Sequence, residues 1–598
     1  MRLKIKLFIA ILLCAGNIFA NGITVSTPAL TGQNTGSKFT LVQFNLSWSN
    51  SWKSSTLMYD AAWLFVKFRL GNADISLTGA SSSGTTITVA STTGLRAGMP
   101  LTLTSGTGVL TAGTVVSSIT DATHFVVNTA PSTPLSSASV TAARIWEHAV
   151  INTTGHSGGT GTASTITPSS DGSGAFIYRS GNGTGAYSVT GMQLRWDYGT
   201  NNVADDAIVQ VKVFAVEMVY VPTGTFAVGT TGAETQRYTL TTINTGLSTT
   251  QPAGTGSLGG QAGGCPTPGG STMTPATDSW PNGYNAFYCM KYEIAQQQYV
   301  DFLNTLTRTQ QSSRVGTTIS SGTTSVTNRY VMSNTSTLSY RNGIRCDASI
   351  NATDPVTFYC DLSGNGTGGE TTDGQWIACN YLSWMDMCAY LDWSGLRPMT
   401  EMEFEKSCRG TIAPVANEYI WGSTTITQVT GITNSGMETE TASNTGNGLC
   451  VYGNHASVQG PLRVGALATS STTTRISAGA TYYGILDMSG NLMERAVTNN
   501  NAAGQSFTGV HGNGSLNKSG DADCDYWPGI NGNTNNTTAN TAYGGTTGVT
   551  EATGSGGRGD TWNSASTYLC ISSRNYYMSV FSPVRNTFLG GRGVRSAP

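Results

Sequence analysis

Residues 381–410 read YLSWMDMCAYLDWSGLRPMTEMEFEKSCRG and constrain the fold more than any other stretch of the chain. Ser383 followed by Asp386, and Thr400 followed by Glu403, have the spacing in which a hydroxyl caps a helix start and a carboxylate answers three residues later. The segment therefore predicts two helices in quick succession. Behind the first cap, Trp384, Met387, Cys388 and Leu391 fall at i, i+3, i+4 and i+7, which predicts one shared, buried face. Gly395 stops that helix, and Pro398 keeps the chain extended until the next begins. One further helix is expected near 295–306, with Tyr299, Phe302, Leu303 and Leu306 on one side.

The first half reads differently. FTLVQFNLSW (39–48), AAWLFVKFRL (61–70) and AIVQVKVFAV (207–216) alternate or run apolar over strand length. They predict a β-sandwich of immunoglobulin-like type over 21–215, an architectural likeness only, since no cysteine pair bridges it. Within it, residues 77–143 change to short Thr/Val strands separated by glycine turns. Removing them joins FVKFRLGN to RIWEHAVIN as a strand pair, so a small β module inserted at 77–143 is the economical expectation; one larger irregular β-domain is the alternative. The last sandwich strand runs straight into 217–229 without a Ser/Gly linker, which predicts a fixed orientation between the halves. The fold class expected is α+β, with few helices and long loops such as 310–345 and 499–560.

The capped pair resembles the central motif of the formylglycine-generating, or sulfatase-modifying factor, superfamily. Its matching positions are Ser383, Trp384, Asp386, Arg397, Pro398, Thr400, Glu401, Arg409 and Gly410. Further pieces follow in family order: EMVYVPTGTFAVG (217–229), YEIAQQQYVDFLN (292–304), YIWGS (419–423), YYGILDMSGNLMER (482–495) and GGRGVR (590–595). The resemblance covers 216–598 and implies a C-type-lectin-like fold. Catalytic members oxidise a substrate cysteine to formylglycine with copper held by two C-terminal cysteines. Two convergent thiolates are what a soft Cu(I) ion requires. In the matching region this chain offers Cys570 alone, so copper is not expected, and catalysis would need a second thiol beside it. An iron-dependent branch uses a His-x-x-x-His-x-Glu motif. His124, His148, His156, His455 and His511 include no such pair, so iron is not expected either. The resemblance also implies a structural calcium at Asn491 and Glu494 of its GN-x-x-E motif, whose oxygens suit a hard cation. Met493 and Arg495 replace the tryptophans that flank this glutamate in the family. In DLSGNG, Asp361, Ser363, Asn365 and Gly366 imitate the start of a calcium loop, but Thr372 stands where an acidic residue is required, which predicts a turn.

Residues 1–20 combine Arg2, Lys4 and Lys6, an apolar run from Leu7 to Cys14 and small residues before a cut after Ala20. This predicts a secretory signal peptide, because the run falls short of the roughly 20 residues that span a bilayer. The expected location is extracellular or at the cell surface, or periplasmic if retained, with no membrane span. Ten cysteines follow Cys14, and an even set in an exported chain predicts disulfides. For Cys388 and Cys408, small core residues are the alternative. With charged residues at 11% and a formal net charge of −2, nucleic acid is not an expected partner.

The tail supplies the candidate binding surface. Trp562, Asn563, Tyr568, Asn575, Tyr576 and Tyr577 interleave aromatic area with small hydrogen-bonding residues, a paratope-like composition. The ending GGRGVRSAP also resembles that of C-type-lectin-like proteins diversified by retroelements, whose variable residues lie just before it. The function expected is an exported, non-catalytic ligand-binding or display protein, its partner an extracellular protein or glycan. An active formylglycine-generating oxidase is the alternative, and a self-associating surface or filament protein the second.

Overall fold

A computed structural model describes residues 22–249, 275–500, 502–529, 548–575 and 584–598. The signal peptide expectation, Cys265, Tyr576 and Tyr577 lie outside these residues. The first half contains two facing sheets. One has the order Thr24–Val25, Phe39–Lys53, Gly183–Trp196, Thr160–Gly161, with Ala29–Asn34 also on Phe39–Lys53. The other is longer and joins the two halves of the molecule. Its order is Ser164–Pro168, Ala175–Arg179, Asp60–Leu70, Val209–Val221, Phe287–Met290, Gly593–Ser596, Arg397–Pro398, with Glu147–His148 added beside Asp60–Leu70.

Val209–Val221 decides how the halves are held. It pairs with Asp60–Leu70 from Val209 opposite Leu70 to Val219 opposite Asp60, and on its other edge Met218–Val221 pairs with Phe287–Met290. One strand thus belongs to both halves, and ladder hydrogen bonds fix their orientation. Asp60–Leu70 is buried on both faces, which explains its unbroken apolar run. Phe68 packs on Trp196 of the first sheet at 4.8 Å between centroids. On the opposite face, Phe65 meets Trp393 edge-on at 5.0 Å, and Trp63 Nε1 donates to the Ser394 carbonyl at 2.8 Å.

Residues 75–142 form a six-stranded sheet, ordered Leu101–Val109, Thr133–Ala142, Ile75–Ser83, Thr86–Thr88, His124–Val127, Val116–Ile119. It has its own core around Leu77, Ile87, Val116, Phe125 and Val140. The chain leaves Asp60–Leu70 to build this sheet and returns as Glu147–His148, with Glu147 opposite Phe68. Arg96 reaches back from it to Glu147 at 2.7 Å.

The second half is sparse in regular structure, and with the strand-rich first half it makes the fold α+β. Helix α1 spans Gln296–Leu303, α2 Arg308–Arg314, α3 Trp384–Trp393 and α4 Glu401–Arg409. Both expected capping boxes form. The Asp386 N–H donates to Ser383 Oγ at 3.2 Å and the Ser383 N–H to Asp386 Oδ2 at 3.0 Å; Thr400 and Glu403 repeat the pattern at 3.2 and 3.0 Å. Gly395, at φ 72°, ends α3, with the Leu396 N–H returning to the Leu391 carbonyl.

Several expectations need correction. Helix α3 is buried nearly all round, not on one face, because the long sheet covers one side and the loops of the second half the other. Helix α2 lies partly in a stretch read as loop; its capping box, Thr307 with Gln310, was visible in the sequence. The disulfides are absent among the described residues. Cys289, Cys346, Cys360, Cys379, Cys388, Cys408, Cys450, Cys524 and Cys570 are all free and buried. Cys388 and Cys408 serve as small apolar core residues, and burial raises their thiol pKa values well above the usual range.

Candidate functional site

Helix α4 is rich in charge, yet Glu401, Glu403, Glu405, Lys406 and Arg409 are all buried. Each glutamate meets a guanidinium. Arg574 Nε donates to Glu401 Oε2 at 2.6 Å and Arg558 Nη2 to Glu405 Oε1 at 2.8 Å. Arg409 bridges Glu405 and Glu418 at 3.0 and 2.6 Å, and Arg397 grips Glu403 with two bonds of 2.9 and 2.7 Å. Burial alone would raise the glutamate pKa values. Arg574 and Arg558 outweigh it at Glu401, as Arg558 and Arg409 do at Glu405, and both carboxyls end below their usual range. The motif is thus a paired internal frame.

That frame holds the candidate binding segment. Its N-terminal anchor is Trp562, which is 2% exposed and donates from Nε1 to the Thr587 carbonyl at 3.1 Å. Its C-terminal anchor is the buried run Leu569–Arg574, ending in the Arg574–Glu401 pair. Between them Asn563, Ala565 and Thr567 are exposed and Tyr568 is half-buried. Trp562 therefore belongs to a core, with Leu492, Val451 and Leu462, and not to the surface expected for it. Its size fills the gap under the loop, and its N–H is satisfied there. Asn575 is half-buried, and its side chain hydrogen-bonds the Asp560 carboxyl.

Next to this segment lies an open groove of about 480 Å³. Leu338, Leu362 and Ile432 supply apolar walls, Ser363 and Ser435 hydroxyls, and Arg341 a guanidinium that is paired with the buried Glu440 carboxylate. Tyr340, 43% exposed, stands between groove and segment, its ring 5.4 Å from that of Trp562. On the other side Gln459 lines the groove and donates to Asn454 Oδ1 at 3.1 Å, while the Asn454 N–H donates to the Trp562 carbonyl at 3.1 Å. Tyr340 and Arg341 have φ of 44° and 65°, and Tyr381 nearby has 60°. Such values are costly for large side chains and collect where structure is imposed for function. Buried amides impose them here: Asn380 Nδ2 donates to the Tyr340 carbonyl at 2.9 Å and Gln296 Nε2 to that of Arg341 at 2.8 Å. The sequence reading missed this groove because its lining comes from four separated loops.

The candidate metal and catalytic residues sit elsewhere. Cys570 is buried, its Sγ 3.5 Å from the Asn417 carbonyl. Burial, then the Glu234 carboxylate, pushes its thiol up to about 12. Asn491 Oδ1 accepts the Leu462 N–H at 2.8 Å, and its Nδ2 donates to Glu293 at 2.5 Å. Glu494 Oε1 receives Arg592 Nε at 2.6 Å, and Oε2 is left without a partner. With the amide oxygen engaged and a guanidinium against the carboxylate, this pair does not fit a calcium ion, which needs several converging oxygens free of cations. Asp361 makes the expected turn, accepting the Gly364 and Gly366 N–H groups at 2.7 and 3.0 Å.

The family model of the sulfatase-modifying factor enzyme 1-like domain matches residues 206–539, more than half of the chain. The chain belongs to this family. No curated protein matches it. The match of the sulfatase-modifying factor domain begins just before Val209–Val221, the strand shared by both halves. It ends before the Trp562–Arg574 segment. No helix among the described residues is long and apolar enough to cross a membrane.

Proposed function

We propose that this protein is an exported, non-catalytic ligand-binding or display protein whose sulfatase-modifying-factor-like domain presents the 563–568 segment and the adjoining groove to a partner outside the cell. The observation that carries this reading is the clamped segment. Trp562 and Arg574 are fixed in buried cores, while Asn563, Ala565 and Thr567 between them face solvent beside an apolar, hydroxyl-lined groove. A rigid frame with exposed small polar and aromatic residues lowers the ordering cost of binding. The groove suits an extracellular glycan or a protein loop with polar groups, because the Ser363 and Ser435 hydroxyls are set among its apolar walls.

The experiment that tests the non-catalytic part is incubation of the purified chain with Cu(I) and a cysteine-containing sulfatase peptide. The expected mass spectrum shows no formylglycine. Formylglycine that disappears in Cys570→Ser would establish the oxidase instead.

A further inference from the structure

Asp392, Asp523 and Cys524 lie together at the end of α3, where the 511–529 loop crosses the long sheet. Among the described residues, this is the one place where three ligand atoms of His, Cys, Asp or Glu fall within 4.8 Å of one another, and all three residues are buried. The approach is built by the backbone: Asn513 and Asp523 N–H groups donate to Asp392 Oδ1 and Oδ2 at 2.9 and 3.0 Å. A second observation bears on what this cluster can bind. Asp523 is only 4% exposed, and its Oδ1 has no hydrogen-bond partner. A buried carboxylate oxygen in that state is costly unless a cation or a proton meets it.

We propose that Asp392, Asp523 and Cys524 hold a divalent cation of the zinc class, which pins the 511–529 loop to α3 and the sheet. The donor set selects the ion. A thiolate disfavours calcium and magnesium, while two carboxylates with one thiolate suit a borderline cation with a position left for water. Lys67 lies in the sheet below with Nζ 2.5 Å from the Gly514 carbonyl, but burial lowers its pKa well below the usual lysine range, so it offsets little of the charge of two carboxylates and a thiolate, and a divalent cation would supply that compensation. Binding displaces the thiol proton of Cys524, so affinity falls as pH is lowered. In a chain whose described cysteines form no disulfides, such an ion would do the stapling that small exported domains otherwise leave to disulfides.

The test uses the full chain, stripped with a chelator and titrated with zinc against a chromophoric competitor. One zinc per chain is expected. Cobalt(II) in its place should give the near-ultraviolet band of a thiolate-to-metal transfer, lost in Cys524→Ser. Asp523→Asn, which keeps the side-chain shape, should weaken zinc by more than the ~10–100-fold that loss of an outer-shell partner costs. If Cys524→Ser does not fold, the wild-type cobalt spectrum and Asp523→Asn decide the matter. Absence of stoichiometric zinc, a cobalt spectrum without the thiolate band, or unchanged affinity in Asp523→Asn would overturn the site and leave Asp392 and Asp523 sharing a proton.

Discussion

Helix α4 buries Glu401, Glu403 and Glu405 against Arg397, Arg409, Arg558 and Arg574, whereas the end of α3 buries Asp392 against Asp523 and Cys524 with Lys67 beside it. In the first region every carboxylate has a guanidinium within hydrogen-bond distance. In the second, acidic groups face one another and one oxygen is orphaned. Charge that is paired inside the protein has no capacity left for a ligand, and charge left unpaired does. The contrast explains why the stretch that best declares the family is the part with least chemistry to offer, and why sites must be sought where compensation is incomplete.

The largest effect should come from breaking the paired region. Arg574→Ala strands Glu401 in a core without its bidentate partner and should cost about 3–5 kcal/mol in urea denaturation, as removal of one member of a buried pair does. Arg574→Lys should recover only part of this, because a point charge cannot reproduce the two bonds to Glu401 Oε2 and Oε1. A loss below about 1 kcal/mol would show that the frame is not held by these pairs.

A pH comparison sharpens the same contrast. Glu401 has a folded pKa below its unfolded value, so its stabilisation is present above about pH 4.5 and is lost as pH falls. The melting-temperature deficit of Glu401→Gln should therefore shrink between about pH 5 and pH 3. Glu217, at the seam of the two halves, behaves oppositely. Burial raises it to about 7; Lys291 at 3.1 Å opposes the rise and Asp60 adds to it. Its contribution is full below about pH 4.5 and is lost as pH rises through 7, so Glu217→Gln should gain on wild type between about pH 5 and pH 8. Parallel curves for the two variants would remove the distinction between a carboxylate whose ion pairs outweigh burial and one whose ion pair does not.

Legibility in the sequence followed the same division. Capping boxes at Ser383 and Thr400, strand runs such as 61–70 and the family order of motifs are local or linear signals, and they carried the fold class and the family. The partners of those residues are not local. Nothing near Glu401 announces Arg574, and nothing near Glu494 announces Arg592, so neither ion pair could be read locally. Cysteine parity misled, because the described thiols form no disulfides, and those on α3 and α4 are packed in the core, the alternative open for Cys388 and Cys408. Cys524 and the groove beside Tyr340 went unassigned for one reason: each is assembled from residues that only the fold brings together.

The smallest effect on stability belongs to the exposed part of the tail. Asn563 and Thr567 face solvent between the anchors, so Asn563→Ala and Thr567→Ala should change unfolding free energy by less than about 0.5 kcal/mol. Tyr340, with nearly half its surface exposed at the rim of the groove, has the character of a contact anchor, and truncating it should weaken binding by about 1–3 kcal/mol. Because the ligand is unidentified, the measurement is a glycan array probed with wild type and with the three single variants. Signals lost in Tyr340→Ala and reduced in Asn563→Ala, with melting temperatures unchanged, would place recognition at this rim. Array signals that survive all three substitutions would move it elsewhere and leave the clamped segment as a structural loop. A large loss of stability in Tyr340→Ala would show instead that its ring serves chiefly to cover Trp562, 5.4 Å away, and the exposed face would then belong with the paired frame and not with the site.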